Sequence, residues 1–317
     1  MDAIKRHAIF AGLALTQAML PISRVNAQLA AKPNPLAFIP AGTNGFTFDT
    51  GVLRGKLHAD GKSKGLSEVV HIPTGTRLDS SMGLFGHYRV FTANKRYGIG
   101  AWDWPSEAKL QADGGVHVRW LVTRDRPFEL DATYHWAAPD VLDVITTVQA
   151  KTNLANFESF LASYFTEGFT NSLAYVAELP GKPGVAGFLA AEPKFGTWLT
   201  FPRDDAAMAI FRDGRWTMPP SPVEWVQMPR LAKPIGIRRN SAAGLTAIVI
   251  SPPRDAFALC TPQQSEGHRS MYVSLFGRGL KAGQTARAHA RLLIAAQLTD
   301  AKVLEVYQTY LESLGGR

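Results

Sequence analysis

Short runs rich in valine, isoleucine, phenylalanine, tyrosine and threonine recur along this chain between clusters of glycine, proline, asparagine and aspartate. Such spacing leaves room for little except antiparallel strands joined by turns. GVHVRWLV, FELDATYHW, VLDVITTVQA, TAIVIS, MYVSLFG and ARAHARLLIAA have the length and near-alternation of a strand with one buried face. Twenty prolines and 28 glycines would punctuate helices badly but serve turns well. The pattern predicts an all-β chain folded as a two-sheet antiparallel β-sandwich. One segment departs from it. TDAKVLEVYQTYLESLGG opens on Thr299 as an N-cap, repeats apolar residues at Val303, Val306, Tyr307, Tyr310 and Leu314, and closes on glycine. A C-terminal helix over about residues 299–314, packed on the sandwich, is expected. The Pro-rich stretch TMPPSPVEWVQMP, residues 217–229, reads as a long loop over one end of the sheets. No repeat or linker divides the chain, so residues 28–317 are expected to form a single domain.

Residues 1–27 read as a signal peptide. Lys5 and Arg6 form a basic start, Ala8 to Leu20 is largely apolar, and Val25-Asn26-Ala27 offers small residues for cleavage before Gln28. The expected location is periplasmic or secreted. The apolar run is short for a stable membrane span, and no later stretch approaches the roughly 20 apolar residues one requires. Cys260 is the only cysteine, so no intramolecular disulfide is available and the core must supply the stability. Its setting, AFALC, is that of a small buried hydrophobe.

The formal charge is +8, and removal of residues 1–27 leaves +6. This balance favours anionic partners, an acidic carbohydrate among them. The cations are dispersed, without an arginine-rich helix, zinc-finger spacing or RNA-binding aromatic signature, so a nucleic-acid partner is not expected. Phosphate loops, nucleophile elbows and dinucleotide fingerprints are also missing, and no cofactor is predicted. The sequence carries no sign of an oligomeric state.

The run SLFGRGLKAGQTARAHARLLI, a strand, a Gly-centred turn and a second long strand, resembles the end of galactose-mutarotase-like sandwiches. LDVITTVQAKTNL leading into FESFLASYF is similar to the same family. The resemblance implies the supersandwich architecture shared by sugar-acting lyases, hydrolases and epimerases, with a site on the concave face of one sheet. Two departures matter. Where mutarotases show Asn-His-Thr-Tyr-Phe, this chain has Ala162-Ser163-Tyr164-Phe165, without the catalytic acid histidine. Where they show Cys-Leu-Glu-Thr-Gln, the nearest match is Leu259-Cys260-Thr261-Pro262-Gln263, without the base glutamate. The resemblance therefore implies the architecture and not aldose epimerisation.

Candidate site residues cluster between positions 51 and 105. On an extended chain Arg54, Lys56 and His58 share one side, as do Phe85, His87, Arg89 and Phe91. A histidine and an arginine between two phenylalanines suggest the wall of a polar cavity, because burying them unpaired is costly. His87 or His58 is expected to transfer protons, and Arg54 and Arg89 to stabilise charge. A structural His-Arg pair is the alternative for His87 and Arg89, and a solvated face for the 54–58 strand. His71 is a third histidine, and a divalent metal held by His58, His71 and His87 is the alternative to acid-base use, although their spacing matches no metal motif. Trp102-Asp103-Trp104 offers indole faces and a carboxylate for a sugar, or simply packing. Tyr164, Glu266 and His268 complete the candidate set, while Glu158, inside an apolar stretch, reads as a paired internal charge. Together these residues suggest an exported carbohydrate-active protein, lyase-like or hydrolase-like. The rival is a non-catalytic glycan-binding or envelope scaffold protein displaying Trp102 and Trp104 in a shallow groove.

Overall fold

Alternation along the strand Phe128–Ala138 places Phe128, Leu130, Ala132, Tyr134 and Trp136 on one buried face, with half-exposed residues between them. This strand pairs antiparallel with Val141–Ala150, Phe128 opposite Ala150, and the pair forms part of a nine-stranded sheet. The computed structural model describes residues 36–42, 45–58, 64–296 and 298–315, so residues 1–27, expected to be a signal peptide, lie outside the described residues.

A seven-stranded sheet faces the nine-stranded one. Its central strands are Ala256–Pro262, Ser270–Leu280, Leu154–Tyr164 and Gly86–Thr92, in that order. Between the sheets Val90, Phe157, Leu161, Leu259, Val273 and Leu275 meet Val118, Leu130, Val144 and Val249 in the main core. Full burial of each such side chain is worth roughly 1.5–3 kcal/mol, so this interface dominates the stability. A third sheet, five strands running from Ile39 to Arg77, adds Phe46, Phe48, Leu53 and Leu57 to the same core.

The seven-stranded sheet does not alternate. Ala256–Pro262 is buried throughout, and Leu154–Tyr164 nearly so. Two-faced burial of this kind arises when both sides of a sheet are covered. The cover on the outer side is the segment from Asp204 to Trp225. It contains a short helix, Asp205–Phe211, whose N-cap Asp204 accepts a hydrogen bond from Ala207 N at 2.8 Å. Phe211, Trp216 and Trp225 from this segment pack on Phe91, Phe160, Cys260 and Tyr272. The sequence reading placed residues 217–229 over one end of the sheets. Residues 221–225 lie instead against this outer face, Val226–Gln227 continues as a parallel edge strand beside Trp198–Pro202, and Met228 enters the main core.

The C-terminal helix spans Asp300–Gly315, and Thr299 Oγ1 accepts from Lys302 N at 3.3 Å. Val303, Tyr307 and Tyr310 pack on Ile235, Ile237, Ile248 and Leu293, covering part of the outer face of the nine-stranded sheet. Among the described residues no helix is long and apolar enough to cross a membrane.

Candidate functional site

A cavity of about 290 Å³ opens between the outer face of the seven-stranded sheet and the 204–225 segment. Tyr88, Phe160, Tyr164, Trp198, Trp216, Trp225 and Tyr272 build its aromatic walls, and Arg89 and His268 are its charged or titratable members. The rings brace one another. Phe160 stacks on Tyr272 with centroids 4.6 Å apart, and Trp216 meets Phe160 and Trp225 edge to face at 4.7 and 5.2 Å.

Arg89 reaches this cavity because of a β-bulge. Val90 pairs with Ser159 and His87 with Leu161, so Tyr88 and Arg89 together oppose the single residue Phe160. The extra residue resets the alternation. His87 and Val90 point into the inter-sheet core, whereas Tyr88, Arg89 and Phe91 point outward. Period two had put His87 and Arg89 on one face, and the bulge separates them.

The expected proton-transfer role of His87 is thereby corrected. Its ring is fully buried, lies 5.2 Å from the Trp120 ring and bonds Thr146 Oγ1 through Nε2 at 2.9 Å, while Nδ1 has no partner. Desolvation lowers its pKa to about 3, so it is a neutral core residue at physiological pH. His58 is exposed on the five-stranded sheet, on the same side as Arg54 and Lys56, and Lys56 pairs with Glu68 at 2.7 Å. The three do share a face, but it is a solvated one. His71 bonds Thr74 Oγ1 through Nδ1 at 2.8 Å, and burial lowers its pKa. The three histidines thus sit in three different environments and do not converge as metal ligands. Among the described residues no group of three or more metal-binding side chains is in place.

Trp102 and Trp104 are buried and do not form an exposed groove. Trp102 stacks on the back of Tyr88 at 4.1 Å and so supports the cavity wall, while Trp104 packs toward Phe128 under the Arg126 guanidinium. Asp103 ends the short turn that carries them. Glu158 is a paired internal charge, held by Arg215 Nη1 at 3.1 Å and Ser274 Oγ at 2.9 Å. Arg215 also binds Asp213 and the Asn156 carbonyl, which fixes the covering segment to the sheet. Cys260 is buried, and burial pushes its thiol pKa well up, consistent with an inert packing role.

At the cavity rim Glu266 and His268 act as a unit. Glu266 Oε1 takes a hydrogen bond from His268 Nδ1 at 2.7 Å, and Oε2 takes one from His268 N at 2.8 Å. With Nδ1 so engaged, Nε2 is the nitrogen left for other partners. The imidazole lies edge to face with Trp198 at 5.4 Å and 6.3 Å from the Tyr164 ring. Deeper in, Tyr272 Oη accepts from Ser270 Oγ at 2.6 Å and from Tyr164. Its own proton is not committed by these bonds. Burial pushes the Tyr272 pKa up to about 12 and raises that of Tyr164 further, so both phenols stay protonated near neutral pH.

Ala162 and Tyr164 project to the cavity side of their strand, whereas Ser163 faces inward and accepts from Phe85 N at 3.2 Å. Thr261 faces inward too, bonded to Ser172 and to Arg238. Neither the Ala162-Ser163 pair nor Thr261 presents an acid or base to the cavity. Of the sequence candidates, the cavity brings together Arg89, Tyr164 and His268, with Glu266 behind the last. Tyr88, Trp198, Trp216, Trp225 and Tyr272 were missed, and the one available signal was a tryptophan, Trp225, within the Pro-rich stretch 217–229.

In its strand arrangement the chain is similar to solved structures that share very little sequence with it. The Slr1438 protein of Synechocystis sp. PCC 6803 aligns with a TM-score of 0.50 at 14% identity, covering 82% of this chain and 99% of that one. The two share a β-sandwich fold. A galactose mutarotase-like protein from Clostridium acetobutylicum aligns at 0.47 and 9% identity, covering 82% and 98% of the two chains. An aldose epimerase homologue from Caenorhabditis elegans aligns at 0.44 and 8%, covering 82% and 98%. No protein-family model matches the sequence, and no curated protein matches it. At such identities the likeness is one of strand arrangement, and the activity is left to the site itself.

Proposed function

We propose that this chain is an exported carbohydrate-active enzyme, lyase-like or hydrolase-like, that works in the aromatic cavity of the seven-stranded sheet with His268 as its proton-transfer group. The observation that carries this reading is the pairing of a sugar-sized aromatic cleft with a carboxylate-oriented imidazole at its rim. Ring faces cover the apolar C–H surfaces of a sugar, and the few polar groups among them set its orientation. Glu266 holds the imidazole in one tautomer and orientation and stabilises the imidazolium that forms when Nε2 accepts a proton. In an elimination that proton comes from a ring carbon, and the C–O bond to the leaving oxygen breaks as the C=C bond forms. In a hydrolysis it comes from the attacking water, whose oxygen bonds to the anomeric carbon as the glycosidic C–O bond breaks, and in both reactions the His268 imidazolium returns the proton to the leaving oxygen. Tyr272, protonated in its buried setting, donates a hydrogen bond to an oxygen on which charge develops. Burial of Trp102 and Trp104 counts against the scaffold alternative, which needed them in a shallow groove.

The test is a panel of neutral and acidic polysaccharides, with products read by mass spectrometry: fragments that together gain one water per cleavage mark hydrolysis, and fragments whose masses sum to the substrate, one of them unsaturated, mark elimination. His268→Ala is expected to lower turnover by about 10²–10⁴-fold and Glu266→Gln by less, both with an unchanged circular dichroism spectrum. Wild-type turnover in His268→Ala would refute the assignment. Glycan binding without turnover of any panel member would make the chain a binding protein.

A further inference from the structure

Arg89 lies under the covering segment and Arg215 belongs to it, yet their charges are handled in opposite ways. Arg215 is fully buried and has two carboxylates, Glu158 and Asp213. Arg89 is 3% exposed and, among the described residues, has none. Its Nη2 donates to the Ser221 carbonyl at 2.8 Å and lies 3.4 Å from Tyr88 Oη, while Nε and Nη1 have no partner. The guanidinium carbon stands 5.0 Å from the Trp216 ring centre and 5.1 Å from that of Tyr88, contacts that leave its hydrogen-bonding edges free. Arg96 adds a second cation nearby, its pKa lowered by burial and by the Arg89 charge, and it too is held by carbonyls, those of Gly98, Ile99, Met218 and Pro220.

A third arginine shows what a purely structural version looks like. Arg238 is equally buried and its Nε also lacks a partner among the described residues, but both of its terminal nitrogens are satisfied, by the Phe169 and Ser270 carbonyls and Thr261 Oγ1, and it does not line this cavity. Arg89 does. A cation that lines a cleft, with two unused donors that are themselves buried and with no carboxylate partner among the described residues, is costly to maintain unless an anion completes it.

We propose that Arg89 selects the substrate by binding the carboxylate of an acidic sugar. This deepens the carbohydrate reading above and rests on it. Each forked edge of a guanidinium includes Nη2, so a carboxylate that takes up Nε or Nη1 bidentately must share or displace the Ser221 carbonyl. Ser221, whose carbonyl takes the Arg89 bond, has a φ of +57°, a left-handed conformation uncommon for serine. The segment Met218–Ser221, gripped by Arg96 and Arg89, accordingly moves when the acidic sugar binds.

The probes are a galacturonate trisaccharide, its carboxyl-reduced neutral counterpart and galactose 6-sulfate. Binding is followed by calorimetry and by the fluorescence of the cavity tryptophans. Wild-type protein is expected to bind the acidic trisaccharide about tenfold or more tighter than the neutral one. Arg89→Met should bring the two within about twofold. Arg89→Lys, which keeps the charge but loses the fork, should fall between. Equal affinity of the wild type for both trisaccharides would overturn the role of Arg89 and leave the carbohydrate reading standing. Binding of neither to folded protein would overturn both. Tighter binding of the sulfated sugar than of the uronate would overturn the carboxylate assignment. If Arg89→Met does not fold, the wild-type comparison and Arg89→Lys decide the matter, and an undiminished acidic preference in Arg89→Lys would refute recognition by the fork.

Discussion

Replacing His87 by glutamine tests whether this histidine is a core residue or part of the cleft. The ring is fully buried between the sheets, and its pKa falls from an ordinary 6.5 to about 3 because the imidazolium cannot be solvated there. Below pH 6.5 the unfolded chain binds a proton at this position that the native protein refuses, so stability is complete above 6.5 and declines as the pH falls toward 3. At pH 5 the gap is one and a half units, and at about 1.4 kcal/mol per unit the unfolded state gains about 2 kcal/mol; by pH 4 the gain is about 3 kcal/mol. Glutamine does not titrate, and its amide can keep a bond to Thr146 Oγ1. Its fixed cost from lost contact with Trp120 cancels when the two proteins are compared at different pH values. Urea unfolding of wild type and His87→Gln at pH 7.5, 5 and 4 should therefore show the stability difference shifting in favour of the variant by about 2 and then about 3 kcal/mol. A difference constant to within about 0.5 kcal/mol across that range would mean that His87 is solvated in the native state, and the bulge-based placement would be refuted.

Arg215→Met strands the buried Glu158 carboxylate and should destabilise the protein by about 3–5 kcal/mol, lowering the melting temperature by on the order of 10 °C. Adding Glu158→Leu should recover much of that loss, and a melting temperature unchanged by Arg215→Met alone would disprove the anchoring role of the pair. The cavity contains no counterpart of the mutarotase acid and base at Ala162-Ser163 or Thr261, so NMR exchange on glucose or galactose should show negligible anomer interconversion, and efficient catalysis would show the alignment to be wrong. Mass spectrometry of protein expressed in a bacterial host should find Gln28 at or near the N-terminus, whereas a soluble cytoplasmic pool retaining Met1 would contradict the export reading.

The sequence by itself determined the strands and the terminal helix, because those depend on interactions within a few residues. Alternation at Phe128–Ala138, the glycine and proline punctuation, and the Thr299 cap with Val303, Tyr307 and Tyr310 on one face are all visible in one dimension. The cavity is a different matter. Residues 204–225 carry few signs of what they cover, since the indoles of Trp216 and Trp225 find their partners on strands far away in the chain. The orientation of Arg89 was decided by tertiary structure alone. A bulge is a property of two paired strands, and neither the sequence around Tyr88 and Arg89 nor that around Phe160 shows that two residues will oppose one. That single mismatch sends His87 into the core and Arg89 into the cleft. It also explains why local periodicity, which recognises each strand, misassigned the face of the residue first expected to transfer protons.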